Sequence, residues 1–388
     1  MSQFVIGPSF AEQELAGISF MLTSFPDMAD AVLNGLLACS GRFFALLEED
    51  NRSKKEDRNE DYRYSAKAVK ELRKRGETKA NASPRGMADL TLAMSLALGI
   101  ITFDLLDSGL HAHSICRYAL GLISSGTYSE AVTRGGRLGR QMLPLIHMDT
   151  CNCLVRREIP MYRLQSGGGG KRGSDGVDRY IGRCVSLFSI LYDVCCVNQK
   201  LKLGSREGHD IARRQENFEE LAQVEATVRD WSAELNEEDT TRLTPREIEV
   251  ITTQASVHRK AILLFIYRLR FPFGTEDDAA THMATVLDDI ANLYCCSGGS
   301  GGSGEGEDSM PFEYRMALPF LIAVAELQDP VQKARALKLL DLIMWKRMYY
   351  KAGGLLARFI FHVWEARDHG WSGQWVDLTE DGPPFVLF

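Results

Sequence analysis

The chain has 388 residues, 45% of them hydrophobic and 25% charged, with a formal net charge of −7. That composition excludes disorder as a description of the whole chain, because enough apolar surface is available to bury a core. The acidic balance, 45 Lys and Arg against 52 Asp and Glu, argues against nucleic-acid binding by this chain itself, which rests on a basic excess.

No apolar run approaches the ~18 residues of a spanning helix, and Met1 to Phe10 lacks the basic start and apolar core of a signal peptide, so no membrane association is expected. The nine cysteines follow no framework spacing, which points to a reducing intracellular compartment with thiols used as small core residues.

Read in chain order, nearly every segment is helical. Asp27 to Leu47 is the first predicted helix, followed by a charge-dense run from Glu48 to Tyr62 that reads as a solvated helix end or loop. Tyr62 to Lys74 is the second helix, and Met87 to Leu106 is a buried one ending near Asp107-Ser-Gly109. His111 to Ser124, Asp178 to Leu201 and Asn217 to Glu234 are further helices.

Thr244-Pro-Arg-Glu247 combines an N-cap, a proline at the first helical position and an acid that completes a capping box. The helix that it starts runs to Arg270 and stops at Pro272 and Gly274; its stretch Ala261 to Tyr267 is apolar all round. Thr275 to Asp278 and Asp329-Pro-Val-Gln332 are two more starts, the latter leading to a stripe of Leu337, Leu340 and Met344. Phe385 to Phe388 is the one strand-like piece. The expectation is an all-α fold over residues 1–388: one large irregular, solenoid-like bundle of about ten to twelve helices.

Two glycine-rich stretches interrupt it. Residues 166–176 read as a flexible loop, natural or introduced. Residues 297–309 contain Ser297-Gly-Gly-Ser-Gly-Gly-Ser-Gly304, the regular repeat of a manufactured linker replacing a longer loop.

Motifs for chemistry do not emerge. Gly167 to Ser174 lacks the Ser or Thr that follows the lysine of a phosphate loop, and Gly135 to Gly139 lacks the dinucleotide spacing. His147-Met-Asp-Thr-Cys151-Asn-Cys153 gathers ligand types without a second half in the sequence, so helix packing is the reading and no metal is expected. The adjacent pairs Cys195-Cys196 and Cys295-Cys296 are too strained for routine disulfides. No catalytic residue and no cofactor is assigned, and the chain is not expected to be an enzyme.

The ordered blocks resemble a known family. Met87 to Asp107 followed by His113 to Ile123, with Arg117, Ala119, Leu122 and Ile123, is similar to a recurrent helix pair of the fungal-specific transcription-factor domain. Tyr62 to Arg73, Tyr267 to Gly274, Met316 to Pro330, Val363 to Asp368 and Trp375 resemble its other blocks, so the likeness covers roughly residues 10 to 388. The family's six-cysteine, two-zinc DNA-binding module is absent.

The resemblance implies a nuclear regulatory region, separated from that module and controlling it in response to a small molecule or protein. The partners that it implies are a small-molecule inducer, transcriptional coregulators, the DNA-binding module and a second copy in a homodimer, with neither nucleic acid nor membrane bound directly. A ligand-free interaction scaffold and an enzyme with a dispersed site are the alternative readings.

Buried helices with a few polar groups among apolar ones are where a ligand would sit. Two segments fit: His258, Phe265, Tyr267 and Arg268, and then Trp345, Arg347 and Tyr349 with the aromatics after them. The plainer reading is that these aromatics are core and that Arg268 or Arg347 pairs with an acid.

Overall fold

The computed structural model describes residues 26–47, 58–77, 84–124, 126–127, 137–164, 177–178, 180–206, 211–271, 273, 278–295, 316–344 and 349–388, together with Ser19 and Thr23. Both glycine-rich stretches, Trp345 and Arg347 lie outside these residues. Among the described residues there are thirteen α-helices: α1 (Pro26–Leu47), α2 (Arg58–Glu77), α3 (Pro84–Asp107), α4 (Ala112–Gly121), α5 (Arg137–Arg156), α6 (Val185–Arg206), α7 (Ile211–Asp230), α8 (Glu237–Arg242), α9 (Pro245–Arg270), α10 (Asp278–Cys295), α11 (Ala317–Val324), α12 (Pro330–Ile343) and α13 (Tyr350–Asp368). A 3-10 turn at Trp375–Thr379 follows. The fold is all-α, as expected.

Packing largely follows chain order: α1 lies on α2 and α3, α3 on α4 and α5, α5 on α6, α6 on α7, and α9 on α7, α10 and α11. α13 returns to α3. Buried apolar side chains form one contiguous cluster from Ala31 to Phe388.

Two of these helices, over Ala29–Leu46 and Gly86–Asp107, are long and apolar enough to cross a bilayer by composition. This corrects the expectation that no run reaches that length. The second is two-thirds buried by its neighbours, as a core helix is; the first is only 28% buried and leaves Leu33, Leu37 and Phe44 exposed.

Local chemistry explains the helix ends. At the α3–α4 corner Asp104 accepts from the backbone N–H of His111 and Ala112, each at 2.9 Å. It thereby caps α4, whose N-cap His111 makes no side-chain cap bond of its own. Gly109 turns the corner at φ 69°, where a side chain is disfavoured. Asp107 ends α3 and binds three other helices: it accepts from the Tyr62 hydroxyl at 2.7 Å, pairs with buried Arg42 at 3.2 Å and with Lys351 at 3.5 Å.

The capping box that starts α9 is present. Thr244 Oγ1 accepts from Glu247 N (3.2 Å), and the Glu247 carboxylate accepts from Thr244 N (2.9 Å). Asp329 caps α12 by accepting from Gln332 N at 3.0 Å.

Several boundaries differ from the expectation: α2 spans Arg58–Glu77 rather than Tyr62 to Lys74, and α7 spans Ile211–Asp230 rather than Asn217 to Glu234. α6 begins at Val185 rather than Asp178, because the Asp178 carboxylate accepts from Tyr180 N and Ile181 N. That local turn, closed by a backbone bridge to Gly182, competes with helix. Among the described residues the tail Phe385–Phe388 pairs with no strand. Instead, Asn152 Oδ1 accepts from Leu387 N at 3.0 Å while Asn152 Nδ2 donates to Leu387 O at 2.7 Å.

Candidate functional site

The sequence-selected residues on α9 occupy two environments. His258 is buried, with Nδ1 2.9 Å from Gln254 O. Its ring meets Phe188 edge-on at 5.7 Å, and His147 packs on the same phenyl at 4.5 Å. This pair of imidazoles around Phe188 joins α9 to α5 and α6.

Two to three turns further along α9 the surroundings change. Phe265 packs edge-on against Trp375 at 6.0 Å; Trp375 in turn meets Phe359 at 6.3 Å, and Phe359 meets Phe385 at 4.3 Å. Tyr349, just before α13, packs on Phe388 at 4.7 Å. The C-terminal tail is therefore where the two sequence-selected segments converge: Phe265 reaches it through Trp375 and Phe359, and Tyr349 reaches it directly. The plainer reading of these aromatics as core describes their packing.

Arg268 also follows the plainer reading in its contacts. Its Nη2 donates to Glu326 Oε2 at 2.5 Å, and both side chains are buried. Burial pushes the Glu326 carboxyl above the usual range, against the opposing pull of Arg268 and Arg367. Arg367 is the third member. Its guanidinium lies 3.7 Å from the centre of the Phe273 ring, and its Nη1 donates to Trp371 O at 3.2 Å and Gly373 O at 2.7 Å. Burial lowers its pKa to about 10, with Glu326 opposing. Arg268 stands 5.6 Å from the same Phe273 ring and equally far from Tyr267, which itself packs on Phe271 at 4.8 Å.

Arg268 thus pairs with the Glu326 carboxylate, Arg367 acts on the same carboxylate electrostatically, and both guanidinium groups lie near the Phe273 ring. Chemically, such a site holds charge that exchanges with difficulty for water and recognises carboxylates and hydroxyls through planar, directional donors.

Sequence reasoning missed Glu326, Arg367, Phe273 and Trp375 as members. A signal for Glu326 existed: it is the lone acid in the apolar run Met316 to Leu327, and a buried acid needs a cation.

The His147–Cys153 run divides over the helix surface. His147 Nε2 and Cys151 Sγ stand 3.7 Å apart on the Phe188 side, whereas Asp149 and Cys153 face α4. Cys195 is buried, Cys196 half-buried, and both are free thiols.

No curated protein and no solved structure matches the chain. A family comparison matches residues 9–388 to the fungal specific transcription factor domain, which spans both the α3–α4 corner and the C-terminal aromatic segment. The match carries with it a regulatory role in fungal transcription. On nearly its whole length, the chain belongs to the fungal specific transcription factor domain family.

Proposed function

We propose that this domain senses an acidic or hydroxylated small molecule and conveys its presence to an attached zinc-cluster DNA-binding module in the nucleus. The observation that carries the reading is the Arg268–Glu326–Arg367 arrangement. A buried ion pair is a poor source of stability compared with apolar packing. It is a good switch, because a ligand carboxylate that takes one arginine releases Glu326 and favours a different packing of α9, α11 and α13. A ligand with unequal affinity for the two packings shifts their populations. Phe265, Tyr267 and Tyr349 bury the ligand body in this reading; His258 stands two turns before Phe265 on α9, and Trp345 and Arg347, which precede Tyr349 in the sequence, are assigned to the same site.

The test is a thermal-shift screen of the purified chain against metabolite and sterol libraries. The expected result is a saturable rise in melting temperature with one chemical class. In Arg268→Lys, which keeps the charge and loses the planar fork, affinity should fall by ~1–3 kcal/mol. An unchanged affinity in that variant removes the site from consideration.

A second reading, an interaction scaffold acting through coregulators or a second copy, draws on the exposed Leu33, Leu37 and Phe44 of α1. A retained protein partner with no saturable ligand favours it.

A further inference from the structure

The two half-sites missing from each other in the sequence meet across α4 and α5. His113 and Cys116 lie one turn apart on α4, Asp149 and Cys153 one turn apart on α5, and all four are buried. Residues at these spacings share a helix face. The imidazole nitrogen of His113, a carboxylate oxygen of Asp149 and the Cys153 sulfur all lie within 4.8 Å of one another. Cys116 faces the same helix, its thiol donating to Leu145 O on α5 at 3.1 Å.

We propose that His113, Asp149 and Cys153, with Cys116 as the fourth ligand, form a structural site for a thiophilic divalent cation of the zinc class.

Three features support it beyond proximity. First, the donor set of imidazole, carboxylate and thiol suits zinc or cobalt(II) and not magnesium or calcium, which take oxygen alone. Tetrahedral bonds of about 2.0–2.3 Å place ligand atoms roughly 3.3–3.8 Å apart, so small side-chain rotations bring the three clustered donors to bonding distance, and Cys116 joins them by turning its thiol away from Leu145 O. Second, the outer shell is already built. Met161 N donates to Asp149 Oδ2 at 2.7 Å, which orients the carboxylate and leaves Oδ1 for the cation. Third, charge balances. Arg117 places Nη1 3.5 Å from the Cys153 sulfur and Nε 3.8 Å from Asp149 Oδ1. Two thiolates, one carboxylate and a divalent cation sum to one negative charge, which the guanidinium offsets. Glu158, paired to Arg117 at 2.7 Å, holds that guanidinium at the rim.

The binding step is an exchange of protons for metal. Without metal, the Nε2 of His113 lies 3.1 Å from Asp149 Oδ1, and the Cys153 thiol donates to the same oxygen at 3.5 Å. On binding, each thiol forms a sulfur–metal bond and releases one proton to solvent. His113 coordinates through the Nε2 lone pair, with its ring proton on Nδ1. No electron is transferred.

The experiment uses the full chain, stripped with a chelator under reducing conditions and titrated with cobalt(II). The expected result is a sulfur-to-cobalt charge-transfer band with visible bands of tetrahedral intensity, saturating at one equivalent and bleached by zinc. Two protons should be released per cobalt, and zinc should raise the melting temperature. Cys153→Ser should lose the charge-transfer intensity, while Cys196→Ser, whose thiol lies outside the cluster, keeps it. If Cys153→Ser does not fold, Asp149→Asn with a weakened cobalt affinity serves in its place.

A folded wild-type chain that gives no stoichiometric band overturns the site and leaves a hydrogen-bonded hub. A band that survives in folded Cys153→Ser or, where Asp149→Asn is used, an unaltered cobalt affinity overturns it equally.

Discussion

Asn152 and Leu387 pair as two strand residues do, except that one side is a side chain. The carboxamide accepts from Leu387 N at 3.0 Å and donates to Leu387 O at 2.7 Å, in a place where both residues are buried. The tail thereby satisfies its backbone without a sheet and brings Phe385 and Phe388 against Phe359 and Tyr349. Asn152→Ala strands a buried donor and a buried acceptor, and should cost about 2–4 kcal/mol. Urea unfolding monitored by circular dichroism measures it. Asn152→Asp should be worse, since it loses the donor and buries a charge. Equal stability of Asn152→Ala and wild type would refute the role assigned to this pair.

Arg268 and Glu326 are expected to behave as a unit. Removing either alone, as Arg268→Met or Glu326→Leu, strands a buried charge and should cost about 3–5 kcal/mol. The double variant should recover a large part of that loss, since apolar groups replace the pair while Arg367 keeps its bonds to Trp371 O and Gly373 O. A double-mutant cycle reads the coupling directly, and additive losses would contradict it.

The same carboxyl gives a pH signature of unusual sign. Burial raises the Glu326 pKa, with Arg268 and Arg367 opposing. The folded state therefore binds this proton more tightly than the unfolded chain, whose glutamate titrates at about 4.3. The contribution to stability is fully present below that value and is lost as pH rises through the folded pKa. Relative to Glu326→Gln, wild type should lose stability on going from acid pH toward neutrality and then level off. Melting curves of the two proteins over that range test it, and the opposite slope would show that the arginines dominate.

Gly109 and Gly370 separate backbone strain from crowding. Both have positive φ, 69° and 87°. A Cβ at Gly109 would stand 2.8 Å from the Ala352 Cβ, whereas one at Gly370 meets nothing within 4 Å. Gly370→Ala should cost about 1–2 kcal/mol, the left-handed backbone penalty alone. Gly109→Ala should cost more, because α3 and α13 must also move apart. Denaturant midpoints of the two variants give the comparison.

What the sequence determined by itself is the helical grammar. Thr244 with Glu247 and Asp329 with Gln332 start their helices as their spacing predicts, and α9 ends beside Pro272 as expected. The α3–α4 pair was also legible, together with its family. These features depend on neighbours within a few residues, where propensity and capping act.

Tertiary structure alone decided the rest. The Asp178 carboxylate closes a local turn in place of starting a helix, and the tail's strand-like text is met by one asparagine. Arg268 finds Glu326 58 residues away, and His113 finds Asp149 36 residues away. Such pairings leave little trace in the chain, because a buried polar group requires only that a partner arrive. Which residue arrives is set by how the helices pack.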